Sequence, residues 1–201
     1  MKVSSNKNVF GIVLAAGASS RFGSTKQLAK IDGITLVQSA HDVATQAFAA
    51  NTVLVVGHDW QPVFAACQPR QGFLLRNQGF TDGLGTSIAQ AVRAVQHTAD
   101  AVVVLLADQV RISADHVLSL VATWDGSQDQ IVATKYAGIV GAPTLFPRGC
   151  FADLAMMKGD SGGRQLLSDE RFQLKTLEFD AAAVDIDTPD DLRRISRNAR
   201  S

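Results

Sequence analysis

Residues able to do chemistry on phosphate fall in three places along the chain. The first is the run from Leu14 to Lys26, which reads Leu-Ala-Ala-Gly-Ala-Ser-Ser-Arg-Phe-Gly-Ser-Thr-Lys. Gly17 and its small neighbours let backbone N–H groups approach an anion with no side chain in the way. Arg21 and Lys26 add fixed positive charge beside that loop, enough to hold a triphosphate. Ser24 and Thr25 separate Gly23 from Lys26, so the run is not a Walker A motif, nor does it match G-x-G-x-x-G. On composition alone it reads equally as a strand-to-helix turn with solvated cations.

The second place is Asp108, which follows the apolar run Val102–Leu106 and Ala107. An ionised carboxylate at the tip of a buried strand needs a partner, and a divalent cation beside phosphates is a suitable one. A turn or capping role is the competing reading. The third place is Asp185-Ile-Asp187-Thr-Pro-Asp-Asp-Leu192, where alternation puts Asp185 and Asp187 on one side of an extended segment. Asp190 and Asp191 suit a helix N-terminus, where the dipole favours acids.

These groups need elements to carry them. Val9–Leu14 reads as a buried strand entering the glycine-rich turn. Thr35–Phe48 has apolar residues at helical spacing, and Thr52–Val56 is a buried strand stopped by Gly57. Gly72–Leu75 reads as a short strand, and Asp82 to His97 as a loop followed by a helix. Ala101–Leu106 is the most hydrophobic strand, Ser113 caps a helix through Trp124, and Gln130–Thr134 is another strand. This alternation predicts an α/β fold with a mainly parallel sheet covered on both faces. Ligands of such sheets bind beyond the carboxyl ends of the strands, where both Gly17 and Asp108 fall.

From about residue 138 the alternation breaks. Gly138 to Pro147 and Gly159 to Gly163 read as loops folded over the sheet. Lys175–Phe179 suggests a late strand, and Thr188-Pro189 opens a final helix with Thr188 as its cap. The expectation is a single domain over residues 1–201.

Composition narrows the function classes. The 201 residues are 46% hydrophobic, which fills a core, and Lys+Arg and Asp+Glu balance at 19 each. Zero net charge argues against nucleic acid held by bulk charge. No window reaches a membrane span and residues 1–8 lack a signal-peptide core, which points to a cytoplasmic protein. Cys67 and Cys150 read as idle thiols. His41, His58, His97 and His116 share no catalytic spacing, and Ser19 and Ser20 have no histidine partner nearby in sequence.

The run L-A-A-G-x-S-x-R-x-G-x-x-K resembles the opening motif of the Rossmann-like (MobA-like) NTP transferases, and most closely the molybdenum-cofactor cytidylyltransferase type. The resemblance implies a three-layer Rossmann-like nucleotidyltransferase fold. It implies triphosphate contacts from Arg21 and Lys26, with Leu14, Ala15, Ala16 and Gly17 against the nucleotide. Asp108 matches a family Mg²⁺ ligand in a Gly/Ala-Asp-Gln-Pro motif, written here Ala-Asp-Gln-Val with Val110 in place of proline. The D-x-D-T-P motif closes the metal site, with Asp187 favoured over Asp185. Asn77…Gly83-Leu-Gly85-Thr-Ser87 resembles the segment beside base and ribose, which makes Asn77, Gly85 and Ser87 nucleotide-side residues; Ser87 serves equally as a helix cap. Gly141-Ala-Pro143 and Gly159-Asp160-Ser-Gly-Gly-Arg164 resemble segments beside the acceptor, implicating Gly141, Pro143, Asp160 and Arg164. Ala142 stands where many members carry histidine.

The implied reaction is transfer of a nucleoside monophosphate, with Arg21, Lys26 and Asp108 catalytic and Mg²⁺ as cofactor. The Leu-Ala-Ala-Gly opening resembles the CTP-using type. The implied acceptor is a molybdopterin-type phosphorylated cofactor, whose product would pass to a molybdenum hydroxylase. Three alternatives stay open: a guanylyltransferase, a sugar- or alditol-phosphate nucleotidyltransferase, and a non-catalytic nucleotide-binding delivery protein. A nicotinamide-dependent oxidoreductase is disfavoured by the missing G-x-G-x-x-G.

Overall fold

A computed structural model describes residues 7–67 and 71–198. Among these residues nine strands form: β1 (Val9–Ala15), β2 (Lys30–Ile31), β3 (Ile34–Thr35), β4 (Thr52–Val56), β5 (Phe73–Arg76), β6 (Ala101–Leu106), β7 (Gln130–Tyr136), β8 (Ile139–Pro147) and β9 (Gln173–Glu178). Seven helices accompany them: α1 (Leu36–Phe48), α2 (Trp60–Cys67), α3 (Leu84–Val95), α4 (Ala114–Thr123), α5 (Phe151–Ala155), α6 (Arg164–Leu167) and α7 (Pro189–Asn198).

Seven strands make one sheet in the order β5-β4-β1-β6-β8-β7-β9, and β2 and β3 form a small separate hairpin. All strands of the large sheet run one way except β8, which is antiparallel to both β6 and β7. The sheet is therefore mainly parallel, with helices on both faces. Parallel strands buried on both sides must be apolar throughout, and β1 and β4 are buried at every position. Alternation along β1 sends Ile12 and Leu14 to the α3 and α5 side, and Val13 and Ala15 to the α1, α2 and α4 side.

The predicted elements occur, with local caps as their start signals. Thr35 Oγ1 accepts from Gln38 N–H at the head of α1, and Ser113 Oγ from His116 N–H at the head of α4. Thr188 and Asp191 form a reciprocal capping box on α7, 3.0 Å from Thr188 N–H to Asp191 Oδ2 and 3.3 Å for the return bond. The Asp191 carboxylate is thereby held below its usual range by the Thr188 hydroxyl.

One expectation is corrected. Residues 139–147 are not a loop over the sheet but strand β8, inserted between β6 and β7. The pairing steps from Ala133↔Thr144 to Thr134↔Gly141, so Ala142 and Pro143 stand outside the ladder in a bulge. Proline is tolerated there because no ladder N–H is required of it. Thr134 Oγ1 donates to Pro143 O at 2.7 Å and secures the bulge, which contains a cis Ala142–Pro143 bond. Helix α2, which the sequence pattern does not announce, packs against α1 and β4.

No helix among the described residues is long and apolar enough to cross a membrane. Cys67 and Cys150 are unpaired and buried, and burial pushes both thiols up to about 12.

Candidate active site

The carboxyl ends of β1 and β6 lie side by side, with Leu14 in register with Leu106. Ala107 N–H donates to Leu14 O at 3.2 Å, so the chain leaving β6 follows the chain leaving β1. The glycine-rich turn and Asp108 thus meet at one edge of the sheet. The last motif arrives through backbone pairing. Gln109 bridges to Asp185, and Ile186 N–H donates to Asp108 O at 3.1 Å. Ile186 is fully buried against Leu36 and Ile195, which anchors the segment and leaves its neighbours Asp185 and Asp187 turned away from that contact.

The turn itself is held open by polar bonds. Ser19 adopts φ of 56°, and Gln27 reaches back to bond it: Nε2 donates to Gly17 O at 2.8 Å, while Oε1 accepts from Ser19 Oγ at 3.2 Å. Gln27 is buried, and sequence reasoning passes it over although it directly follows Lys26. Around this turn opens a cleft of about 520 Å³, lined by Gly17, Arg21, Lys26, Asp108, Asp160 and Asp187 among others.

Four charged side chains form one network in the cleft. Lys26 Nζ donates to Asp108 Oδ2 at 2.8 Å and to Asp187 Oδ1 at 3.0 Å. Arg21 Nη1 pairs with the other oxygen of Asp187 at 2.9 Å. The Lys26 side chain is 14% exposed and that of Arg21 is 73% exposed. Burial by itself would lower the Lys26 pKa, but Asp108 and then Asp187 outweigh it and hold the ammonium above its ordinary value. The pKa of Asp185 is also raised, here toward its neutral form: burial comes first, then the nearby Asp187 and Asp108 carboxylates.

The donor set suits a hard divalent cation. Asp108 Oδ1 is buried and takes no hydrogen bond among the described residues. Such an oxygen is costly unless another partner completes it. Asp108 and Asp187 already converge on one positive centre, the Lys26 ammonium. No cluster of three or more metal-ligating side chains is assembled among the described residues.

A second chamber of about 240 Å³ adjoins the cleft and shares Leu14, Leu84, Leu106 and Asp160 with it. Gly141, Ala142, Tyr136 and Arg164 line it too. Gly141 lacks a Cβ where one would come within 3.2 Å of the Tyr136 hydroxyl. Gln109 ties this region to the carboxylates: its Nε2 donates to Ala142 O at 2.9 Å and Ala182 O at 3.1 Å. Sequence reasoning misses both Tyr136 and Gln109. Tyr136 ends a strand with no motif around it, whereas the position of Gln109 directly after Asp108 is a usable signal.

Other predicted residues stand apart from the cleft. Ala15 faces the α1 side of the core. Asn77 and Ser87 are buried and bonded to each other at 2.9 Å. Gly85 N–H donates to Gly159 O at 2.8 Å, and a Cβ at Gly85 would crowd Lys158 and Gly159. Pro143 sits in the bulge, with its carbonyl turned to Thr134.

With this geometry in place, comparison with known proteins decides the family. The MobA-like NTP transferase domain profile matches residues 11–176. This chain belongs to that family. Among curated proteins it is similar to the purine catabolism protein PucB of Bacillus subtilis (strain 168), 29% identical over 94% of this chain and 96% of PucB. It is also similar to the nicotine blue oxidoreductase of Paenarthrobacter nicotinovorans, 26% identical over 93% and 96%. Among solved structures, Rv0371c of Mycobacterium tuberculosis H37Rv superposes with a TM-score of 0.82 at 30% identity, covering 95% of this chain and 98% of that one. A complex of Rv0371c with manganese has also been solved. The nucleotidyltransferase family and the Rossmann-like fold read from the motifs therefore stand.

Proposed function

We propose that this MobA-like nucleotidyltransferase transfers CMP from CTP to the phosphate of a molybdopterin-type acceptor, releasing pyrophosphate. The observation that carries this reading is the convergence of Lys26, Arg21, Asp108 and Asp187 beside the Gly17 turn. An acceptor phosphate oxygen forms a bond to the α-phosphorus, and the bond from that phosphorus to the bridging oxygen of the pyrophosphate breaks. A phosphate monoester has a second pKa of about 6, so the nucleophile is ionised at neutral pH and needs no general base. Catalysis then rests on positioning and on charge placed where charge develops.

Backbone groups at Leu14 to Gly17 cradle the phosphates, and Arg21 and Lys26 offset their charge. Asp108 and Asp187 would hold Mg²⁺, which supplies further neutralisation of the triphosphate when bound. The existence of a manganese complex of the similar Rv0371c supports a divalent cation. Asp160 and Arg164 contact the acceptor from the chamber beside Gly141. Asn77, Gly85 and Ser87 serve the nucleotide side indirectly, by shaping the segment that opens α3. The acceptor implies a molybdenum hydroxylase as recipient of the product.

A second reading is favoured by one finding, the similarity to a protein called an oxidoreductase. Two cations at the first turn, with no G-x-G-x-x-G, weigh against nicotinamide dinucleotide there. A thermal-shift panel separates the two: CTP, GTP, ATP, UTP and NAD(P), each with and without Mg²⁺. A magnesium-dependent shift largest with CTP supports the cytidylyl reading, and one largest with GTP replaces it with guanylyl transfer. A shift with NAD(P) alone would overturn transfer chemistry.

A further inference from the structure

Lys26 answers to two demands that one ammonium cannot meet together. In a nucleotide complex it must face phosphate. In the free protein it faces Asp108 and Asp187, the groups a divalent cation needs. We propose that Lys26 is an internal counter-ion that closes the Asp108–Asp187 pair until a nucleoside triphosphate draws it away, so that cation binding depends on nucleotide. The inference rests on reading Asp108 and Asp187 as the cation's ligands.

The closure is specific to Lys26. Of Asp108's two oxygens, Oδ2 takes the Lys26 ammonium at 2.8 Å and Oδ1 is buried. A solvated cation therefore finds Oδ2 taken by Lys26, while Oδ1, though free of hydrogen bonds among the described residues, is shut off from solvent. Arg21 belongs to the same network but among the described residues pairs with Asp187 alone, and it is largely exposed. An exposed pair of this kind contributes little and breaks readily. Lys26, by contrast, is seated at the start of a short 3-10 turn, Lys26–Leu28, whose Leu28 N–H donates to Thr25 O at 2.9 Å. Its backbone is held while its four-carbon stem can still swing. An ammonium has three N–H donors, and two are spent on the carboxylates. The third can meet a phosphate before the other two are released. Without Lys26, the two carboxylates would face each other partly buried, a repulsion that a cation relieves.

The test is Mn²⁺ binding without nucleotide, read from the free-ion electron paramagnetic resonance signal, with Mn²⁺ standing in for Mg²⁺. Wild type is compared with Lys26→Met, Lys26→Arg and Arg21→Met, each first shown to unfold cooperatively. Lys26→Met and Arg21→Met remove the same unit of charge from the same network, so their difference isolates the bridge from the general field. Lys26→Met should bind Mn²⁺ at least tenfold more tightly than Arg21→Met, because a site open about one-tenth of the time loses that factor in affinity. Lys26→Arg, which keeps the charge, should stay near wild type. If Lys26→Met does not fold, Lys26→Gln takes its place. Equal affinities in Lys26→Met and Arg21→Met overturn the inference, as does wild type binding Mn²⁺ as tightly as Lys26→Met. A non-hydrolysable CTP analogue is titrated into wild type in parallel. If it binds while no variant takes up Mn²⁺, the closure is refuted and nucleotide binding stands. If it too fails to bind, the reading of the site falls with it.

Discussion

A Cβ built on Gly83 would lie 2.2 Å from the carbonyl carbon of Gly159. The two glycines are thereby the close contact through which the head of α3 meets the turn carrying Asp160. Gly83 also holds φ of 96°, a conformation that strains any L side chain. The obstruction is backbone, which cannot swing aside as a side chain would. Gly83→Ala should destabilise the protein by about 2–3 kcal/mol, from overpacking and backbone strain together. Urea unfolding measures this. A variant as stable as wild type would show that the contact is not maintained in solution.

Asn77 belongs to a motif that implies a place beside the nucleotide, yet its amide is fully spent inside the protein. Oδ1 accepts from Gly79 N–H and Gln90 Nε2, and Nδ2 donates to Thr86 Oγ1 and Ser87 Oγ, all at 2.9 Å. Four bonds are the full capacity of that side chain. Asn77→Ala should cost about 2–4 kcal/mol, since each buried group left unpaired costs roughly 1–3 kcal/mol and some will rehydrate. The ratio of CTP to GTP affinity should not change. A variant of normal stability whose base preference shifts would return Asn77 to direct base contact.

Asp108 pairs with Lys26 at 2.8 Å and keeps one buried oxygen without a hydrogen bond among the described residues. Asp108→Asn keeps the shape and removes the charge that faces Lys26. Pyrophosphate release from CTP plus acceptor should drop about 100-fold or more, the scale of losing one preorganised electrostatic contact. Steady-state assays at saturating Mg²⁺ check it. Retention of wild-type turnover would remove Asp108 from the machinery.

Stability should fall on mild acidification. Burial lowers the pKa of both His41 and His116 from the ordinary 6.5. At His116, Thr134 has already donated its proton to Pro143 O, so Nε2 carries the hydrogen that reaches Thr134 Oγ1 at 2.8 Å. The folded protein then binds fewer protons than the unfolded chain just below 6.5, and stability declines as pH falls through that window. The urea midpoint should be lower at about pH 5.5 than at about pH 7.5, and His116→Gln should flatten the difference. A pH-independent midpoint would contradict neutral burial of these rings.

Much of the fold and part of the site can be read along the chain. Continuous apolar runs such as Ala101–Leu106, short and rich in valine, read as buried strands, and polar residues just past their carboxyl ends then face the ligand edge of the sheet. That rule places Gly17 and Asp108 from local sequence alone. Ser113 and Thr188 are legible for a similar reason, since capping is settled within three or four residues. Strand β8 is not legible, because Gly141 and Pro143 interrupt its alternation, and only the partners β6 and β7 show that the interruption is a bulge.

Asn77 shows the limit from the other side: its motif is visible, but whether its amide turns outward or inward depends on Gln90 and Ser87, which only folding brings near. Lys26 meets carboxylates 82 and 161 positions away, at a spacing set by sheet order and by the Ile186–Asp108 backbone bond. Residue type and local period determined what chemistry the chain carries and at which strand ends. Long-range pairing decided which charges touch, because hydrogen-bond and ion-pair energies act over a few ångströms of space, whatever the distance in sequence.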